Sequence, residues 1–201
     1  MSSDTIKALI EAILFSSDKP VMIEQIRQVC EDTTPQKIRE VLNELSQEYI
    51  NNKRGIRIVE VAGGFQMVTS EELHPLLKKF LKDKKKERLS SAALETLAIV
   101  AYKQPVTKLQ IESLRKVNVD GIISSLKEMG LIRTVGRRKS PGRPYLYGTT
   151  REFLEFFGLK SLQDLPKPEN FSPRIFSINN QIQKEKEDGT QETTSENRSD
   201  R

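Results

Sequence analysis

The chain has 201 residues, 36% hydrophobic and 30% charged, which provides for one or two modest cores rather than one large domain. Cys30 is the single cysteine and His74 the single histidine, so an internal disulfide and a zinc site are excluded and no cofactor is expected. A net charge of +5, with both signs interspersed, permits nucleic-acid contact without requiring it.

Met1 is followed by Ser2, Ser3 and Asp4 and then by an amphipathic stretch broken by Lys7 and Glu11, unlike a secretory signal. No run reaches a membrane span, and a cytoplasmic chain with no membrane partner is expected. Ile6, Leu9, Ile10, Ile13 and Leu14 recur at helical spacing and predict a helix ending near Ser16. A short helix follows around Ile23 to Val29. Thr34 and Pro35 supply an N-cap and a preset first residue for a third, whose stripe is Ile38, Val41, Leu42, Leu45 and Tyr49. Ile56 to Val61 and Phe65 to Thr69 are β-rich, and Ala62, Gly63 and Gly64 between them have hairpin chemistry. Ser70 is expected to cap a fourth helix with Leu73, Leu76, Leu77, Phe80 and Leu81 on one face, its acids first and its lysines last, as the helix dipole favours. Cys30 reads as a small buried side chain and His74 as a structural histidine rather than a general base.

The charged run from Lys82 to Arg88 reads as a solvated connector, after which the plan repeats. Ser91 to Lys103 is apolar nearly all round and must be buried on several sides. Pro105 ends it, and Thr107 with Gln110 has the spacing of a capping box for a helix directing Leu109, Ile111 and Leu114 inward. Asn118 opens the next, packed through Ile122, Ile123, Leu126 and Met129 and stopped by Gly130. Leu131 to Val135 and Tyr145 to Thr149 are strands flanking a basic loop. Thr149 and Glu152 then form a box for a last helix carrying Phe153, Phe156 and Phe157. Aligning Pro20 with Pro105 pairs Val21, Gln25 and Ile26 with Val106, Gln110 and Ile111, an internal duplication in which Met22 stands where Thr107 caps.

The expected fold is α+β, mainly α. It comprises two tandem winged-helix domains, each of three helices and a hairpin with an extra C-terminal helix: 1–81, a linker 82–88, and 89–166. A polar tail, 167–201, follows. From Gln183 onward the tail is expected to be disordered, and Phe171 to Ile182 is either a docking segment or plain tail.

No Walker loop, dinucleotide fingerprint or serine elbow occurs, so an enzyme is not expected. Winged helices suggest a DNA-binding transcription regulator as the competing reading, yet the third helices argue against base recognition. The first mixes Gln36, Lys37 and Arg39 with Glu40, Glu44 and Glu48, and the second offers little beyond Ser124, Ser125 and Lys127. Arg133, Arg137, Arg138, Lys139 and Arg143 on or beside the second hairpin loop are better placed for weak, non-specific phosphate contact.

LSSAALETLAIVAYKQPVT from Leu89 to Thr107 closely resembles the corresponding segment of the segregation and condensation protein B family. IESLRKVN from Ile111, YGTT from Tyr147, FLEFFGL, SLQDLP, and the N-terminal EAILF, RGI and GGFQMVT extend the resemblance over residues 6 to 166. One departure is Arg115-Lys116-Val117, where the family tends to have Arg-Gly-Val. The resemblance implies a non-enzymatic, nucleoid-associated subunit of a condensin-like SMC complex, supporting chromosome condensation and partition in cell division. Such a subunit forms a homodimer through the N-terminal domain, binds the kleisin (segregation and condensation protein A), and reaches SMC through it. On this reading Leu94, Leu97, Tyr102, Gln104 and Tyr147 contact the kleisin, and Ile6, Leu9, Ile10 and Ile13 form the dimer contact.

Overall fold

A computed structural model describes residues 2–81 and 89–167. The anticipated linker and tail, with their connector, docking and disorder readings, lie outside the described residues except for Lys167. The described residues up to Asp164 belong to one compact unit. The architecture mixes α and β and is mainly helical.

The first half runs α1 (Ser3–Ser16), α2 (Ile23–Val29), α3 (Pro35–Asn51), β1 (Ile56–Val61), β2 (Gly64–Thr69), a 3-10 turn (Glu71–Leu73) and α4 (His74–Phe80). Thr34 Oγ1 accepts from the Lys37 amide 3.2 Å away, which satisfies one of the donors a helix start leaves open. The stripes meet in one core, where Ile10, Leu14, Ile26, Cys30, Ile38, Val41 and Leu42 are each no more than 1% exposed. Ala62 and Gly63 both take positive φ. That is the conformation of a two-residue hairpin turn, so β2 begins at Gly64, one residue earlier than the hydrophobic pattern predicts. Ser70 is buried and makes no cap bond. A 3-10 turn therefore opens this segment, and the apolar face of α4 lies outward, with Leu76 and Phe80 well exposed.

The second half runs α5 (Ser91–Lys103), β3 (Val106–Thr107), α6 (Lys108–Arg115), α7 (Asp120–Glu128), β4 (Ile132–Arg137), β5 (Tyr145–Thr149) and α8 (Arg151–Phe157). The Thr107–Gln110 capping box forms at both ends. In the first half Gln25 Oε1 still accepts from the Met22 amide at 2.8 Å, so the glutamine arm survives where the hydroxyl is missing. The duplication extends to strand pairing. Val21 bridges Phe65 of β2, and Val106 pairs with Tyr147 of β5, so in each half the residue after the aligned proline joins the second strand of the hairpin.

Four local expectations need correction. Leu109 is 74% exposed, because it occupies the outer side of the first turn of α6, where the helical period alone does not say which flank the core covers. Met129 lies outside α7 as its C-cap and is partly exposed. Helix α7 starts at Asp120 rather than Asn118, whose Oδ1 instead accepts from the Asp120 amide. The cap of α8 is Thr150, which accepts from the Phe153 amide, since Thr149 is occupied by Gln104. Of the three phenylalanines in α8, Phe153 alone is buried.

The turn that departs from the family pattern is left-handed. Lys116 has φ 58 and ψ 24 at the C-cap of α6, and its amide donates to Glu112 O at 2.7 Å. This conformation favours glycine because a Cβ crowds the backbone there. Beside it, the mostly buried Arg115 guanidinium donates to Thr96 Oγ1 at 2.8 Å and to Glu95 at 3.0 Å, tying α6 to α5.

Candidate interaction surfaces

Helix α5 separates its positions sharply. Ala93, Thr96, Leu97, Val100 and Ala101 are buried, whereas Leu94 is 42% exposed, Ala98 is exposed and Tyr102 is half-buried. Positions 94, 98 and 102 are spaced four apart and so share one helix face. The helix is therefore covered on one side rather than on several, and its other side carries an apolar stripe ending at a tyrosine. Burial raises the pKa of the Tyr102 hydroxyl above its ordinary value.

The residues proposed from sequence for kleisin contact fall into four groups. Leu94 and Tyr102 lie on this stripe. Leu97 is 1% exposed and part of the core, so its side chain presents nothing to a partner. Gln104 is a clasp: its Oε1 accepts from the Thr149 amide at 2.8 Å, and its Nε2 donates to Thr149 Oγ1 at 3.0 Å and to Ala101 O at 3.2 Å. Its amide is thus used in fastening the end of α5 to β5. Tyr147 is half-buried on β5, with its pKa raised by burial and then by the negative charge of Asp120. That carboxylate is held by Lys108 Nζ at 2.5 Å, and the bond lowers the pKa of Asp120. Ala98 and Leu109 are further exposed apolar residues of this half, Ala98 on the stripe itself and Leu109 on α6. No sequence signal distinguishes an outward stripe from a core one on a helix that is apolar almost throughout.

In the first half, Ile6 and Ile10 are core residues, and Leu9 and Ile13 pack partly buried against the same core. The open apolar surface of α1 lies on another face. Phe15, 81% exposed, borders a shallow hollow with Ala8, Ala12, Tyr49, Ile56 and Met67. Glu11 also lines it and accepts a hydrogen bond from the Tyr49 hydroxyl. Burial, reinforced by Glu11, pushes the Tyr49 pKa up to about 12.

The five basic residues singled out for phosphate contact are all exposed on β4 and the loop that follows it. Among the described residues no helix is long and apolar enough to cross a membrane.

The family model described as "Segregation and condensation complex subunit ScpB" matches residues 8–168. Segregation and condensation protein B of Syntrophotalea carbinolica is 46% identical over 172 residues, covering 86% of each chain. The crystal structure of ScpB from Mycobacterium tuberculosis is similar over 79% of this chain and 98% of that one, at 33% identity and a TM-score of 0.40. A crystal structure of a dimer of the ScpB N-terminal domain complexed with ScpA peptide matches 38% of this chain and 95% of that one, at 36% identity and a TM-score of 0.36.

Proposed function

The chain belongs to the ScpB family of segregation and condensation complex subunits, and from that premise we propose that it is the kleisin-binding subunit of a condensin-like SMC complex. It acts by binding rather than by catalysis, in the cytoplasm at the nucleoid, and supports chromosome condensation and partition. Each half is a winged-helix domain, the first over 1–81 and the second over 89–166, joined by 82–88. The helix order and the shared closure of strand onto hairpin support that reading. The first half dimerises and the second grips the kleisin, through which the chain reaches SMC.

The observation that carries the partner assignment is the apolar stripe of α5. Leu94, Ala98 and Tyr102 have the four-residue spacing that receives an amphipathic helix, and Tyr147 on β5 is the further contact assigned to this half. The dimer contact belongs to the exposed face of α1 at Phe15, Ala12 and Ala8, because Ile6 and Ile10 are spent in the core and Leu9 and Ile13 pack against it.

Leu94→Asp with Tyr102→Ala is expected to weaken kleisin binding at least about tenfold in calorimetry, the scale of an interface anchor, with an unchanged melting curve. Phe15→Asp is expected to halve the mass seen by light scattering while sparing kleisin binding. Undiminished kleisin affinity in the folded double variant refutes the assignment to α5. An unchanged mass refutes the dimer contact.

A further inference from the structure

We propose that the β4–β5 hairpin is a non-specific phosphate-binding wing that lays this chain against duplex DNA. The proposal goes beyond kleisin binding and does not depend on it. Between Glu128 and Glu152 the sequence contains no carboxylate, while Arg133, Arg137, Arg138, Lys139 and Arg143 fall within eleven residues. All five are exposed, and none is in an ion pair with a carboxylate among the described residues. Such a concentration of uncompensated charge repels itself, and phosphate relieves that repulsion.

The local geometry distributes the charge. The register shifts between Thr134 and Gly136, so Val135 is an extra residue in β4. A strand alternates faces, and one inserted residue reverses the alternation. Arg133 pairs with Gly148, whereas Arg137 pairs with Tyr145, placing the two arginines on opposite faces of the ribbon where an unbroken strand would align them. The tip is ordered: the Arg143 amide donates to Ser140 O across Pro141 and Gly142, Gly142 has φ 76, and the Arg138 amide donates to Pro144 O. Proline then glycine at the centre of such a turn is the type II pattern. Arg137 is held as well, 4.2 Å over the Tyr145 ring and donating to its hydroxyl at 2.6 Å. A guanidinium so positioned loses little side-chain entropy on meeting a phosphate.

Duplex DNA fits this ribbon better than a folded acidic protein does. Six strand residues extend about 20 Å, a length over which the duplex presents about twelve phosphates. A ribbon with cations on two faces and at its tip meets both strands across a groove. The poverty of reading groups on α7 makes the contact sequence-independent.

The test is fluorescence anisotropy of the full chain with a labelled random-sequence duplex, titrated between 50 and 200 mM salt. Five phosphate contacts predict a log–log salt slope of about −4.5, and hence about a 500-fold loss of affinity over that range. Arg137→Gln, Arg138→Gln and Lys139→Gln together are expected to reduce the slope by about 2.7 and the low-salt affinity about tenfold or more. Each of Arg133→Gln and Arg143→Gln alone should reduce the slope by about 1. Replacing Lys82, Lys84, Lys85 and Lys86 with Gln is the control and should leave the wing's share of the slope intact. Parent-like affinity in the folded triple variant overturns the proposal, as does loss of binding in the linker variant alone. A chain that ignores the duplex yet binds polyglutamate through the same arginines overturns it in favour of an acidic protein partner. Kleisin affinity measured on the same variants is expected to stay unchanged, which separates this outcome from the fate of the α5 assignment.

Discussion

The two hairpins of this duplicated chain share their origin in the fold and differ in what surrounds them. The first closes with a two-residue turn, and its tip is used internally: the Ala62 amide donates to Leu159 O at 2.8 Å, and Glu60 is paired with both Arg39 and Lys160. The second carries a longer loop, no carboxylate and five exposed cations, none of them paired with a carboxylate among the described residues. What stays constant is the closure at the root, where the residue after a proline pairs with the second hairpin strand beside a glycine. The root holds each half together and tolerates little, whereas the tip is packed in the first half and exposed in the second, and differs between them in charge and length.

The glycines at the root test this comparison most severely. A Cβ on Gly64 would lie 2.8 Å from Val21 O and 3.1 Å from the Pro20 carbonyl carbon, both backbone atoms. One on Gly148 would meet side chains, Gln104 Oε1 at 2.9 Å and Val135 Cγ1 at 3.0 Å. Backbone cannot yield without opening the strand pair, while side chains can rotate. Gly64→Ala is therefore expected to cost about 3 kcal/mol and Gly148→Ala about 1–2 kcal/mol, the range of overpacking, read from urea midpoints. Equal losses would mean that side chains at Gly148 yield no more readily than the backbone at Gly64.

A smaller effect of opposite sign belongs to the end of α6. Lys116→Gly relieves a left-handed residue at the end of α6 and should stabilise the protein by about 1 kcal/mol, visible as a higher urea midpoint. The last contrast is one of pH. With its folded pKa near 12 against an ordinary 10.0, Tyr49 contributes stability that is complete below about pH 10. That contribution is lost as pH rises toward 12, because the unfolded chain ionises first. Tyrosinate absorbance should show Glu11→Gln lowering this transition, since the negative charge goes and a neutral amide oxygen is the weaker acceptor, while the transition of Tyr147 in the second half stays in place.

Much of this was readable from residue order. Caps with a hydroxyl and a glutamine three positions on, as at Thr107 and Gln110, announce themselves because the bond is local. So do Thr34 with Pro35, and the stripe of α3, whose outer face is polar enough to set the core apart. Helix α5 defeated the same reasoning: with few polar residues to mark the outside, Leu97 and Leu94 look equivalent in sequence, and only the packing of α6, α7 and β5 distinguishes them. Gln104 enters the sequence reading as a kleisin contact, and its clasp is invisible there because a bond to Thr149, 45 residues away, leaves no local trace. The cap at Thr150 went to the neighbouring threonine for the same reason.

Cys30 gives the first half a property the second lacks. Its thiol is 1% exposed at the end of α2, and it is the chain's single sulfhydryl. Reagents that alkylate thiols must wait for that core to part, so the labelling rate of the unaltered protein clocks the opening of one half. Adding kleisin, duplex or a second copy would slow that clock only if its grip is felt in the first half, so the chain carries its own chemical stopwatch for deciding where each partner sits.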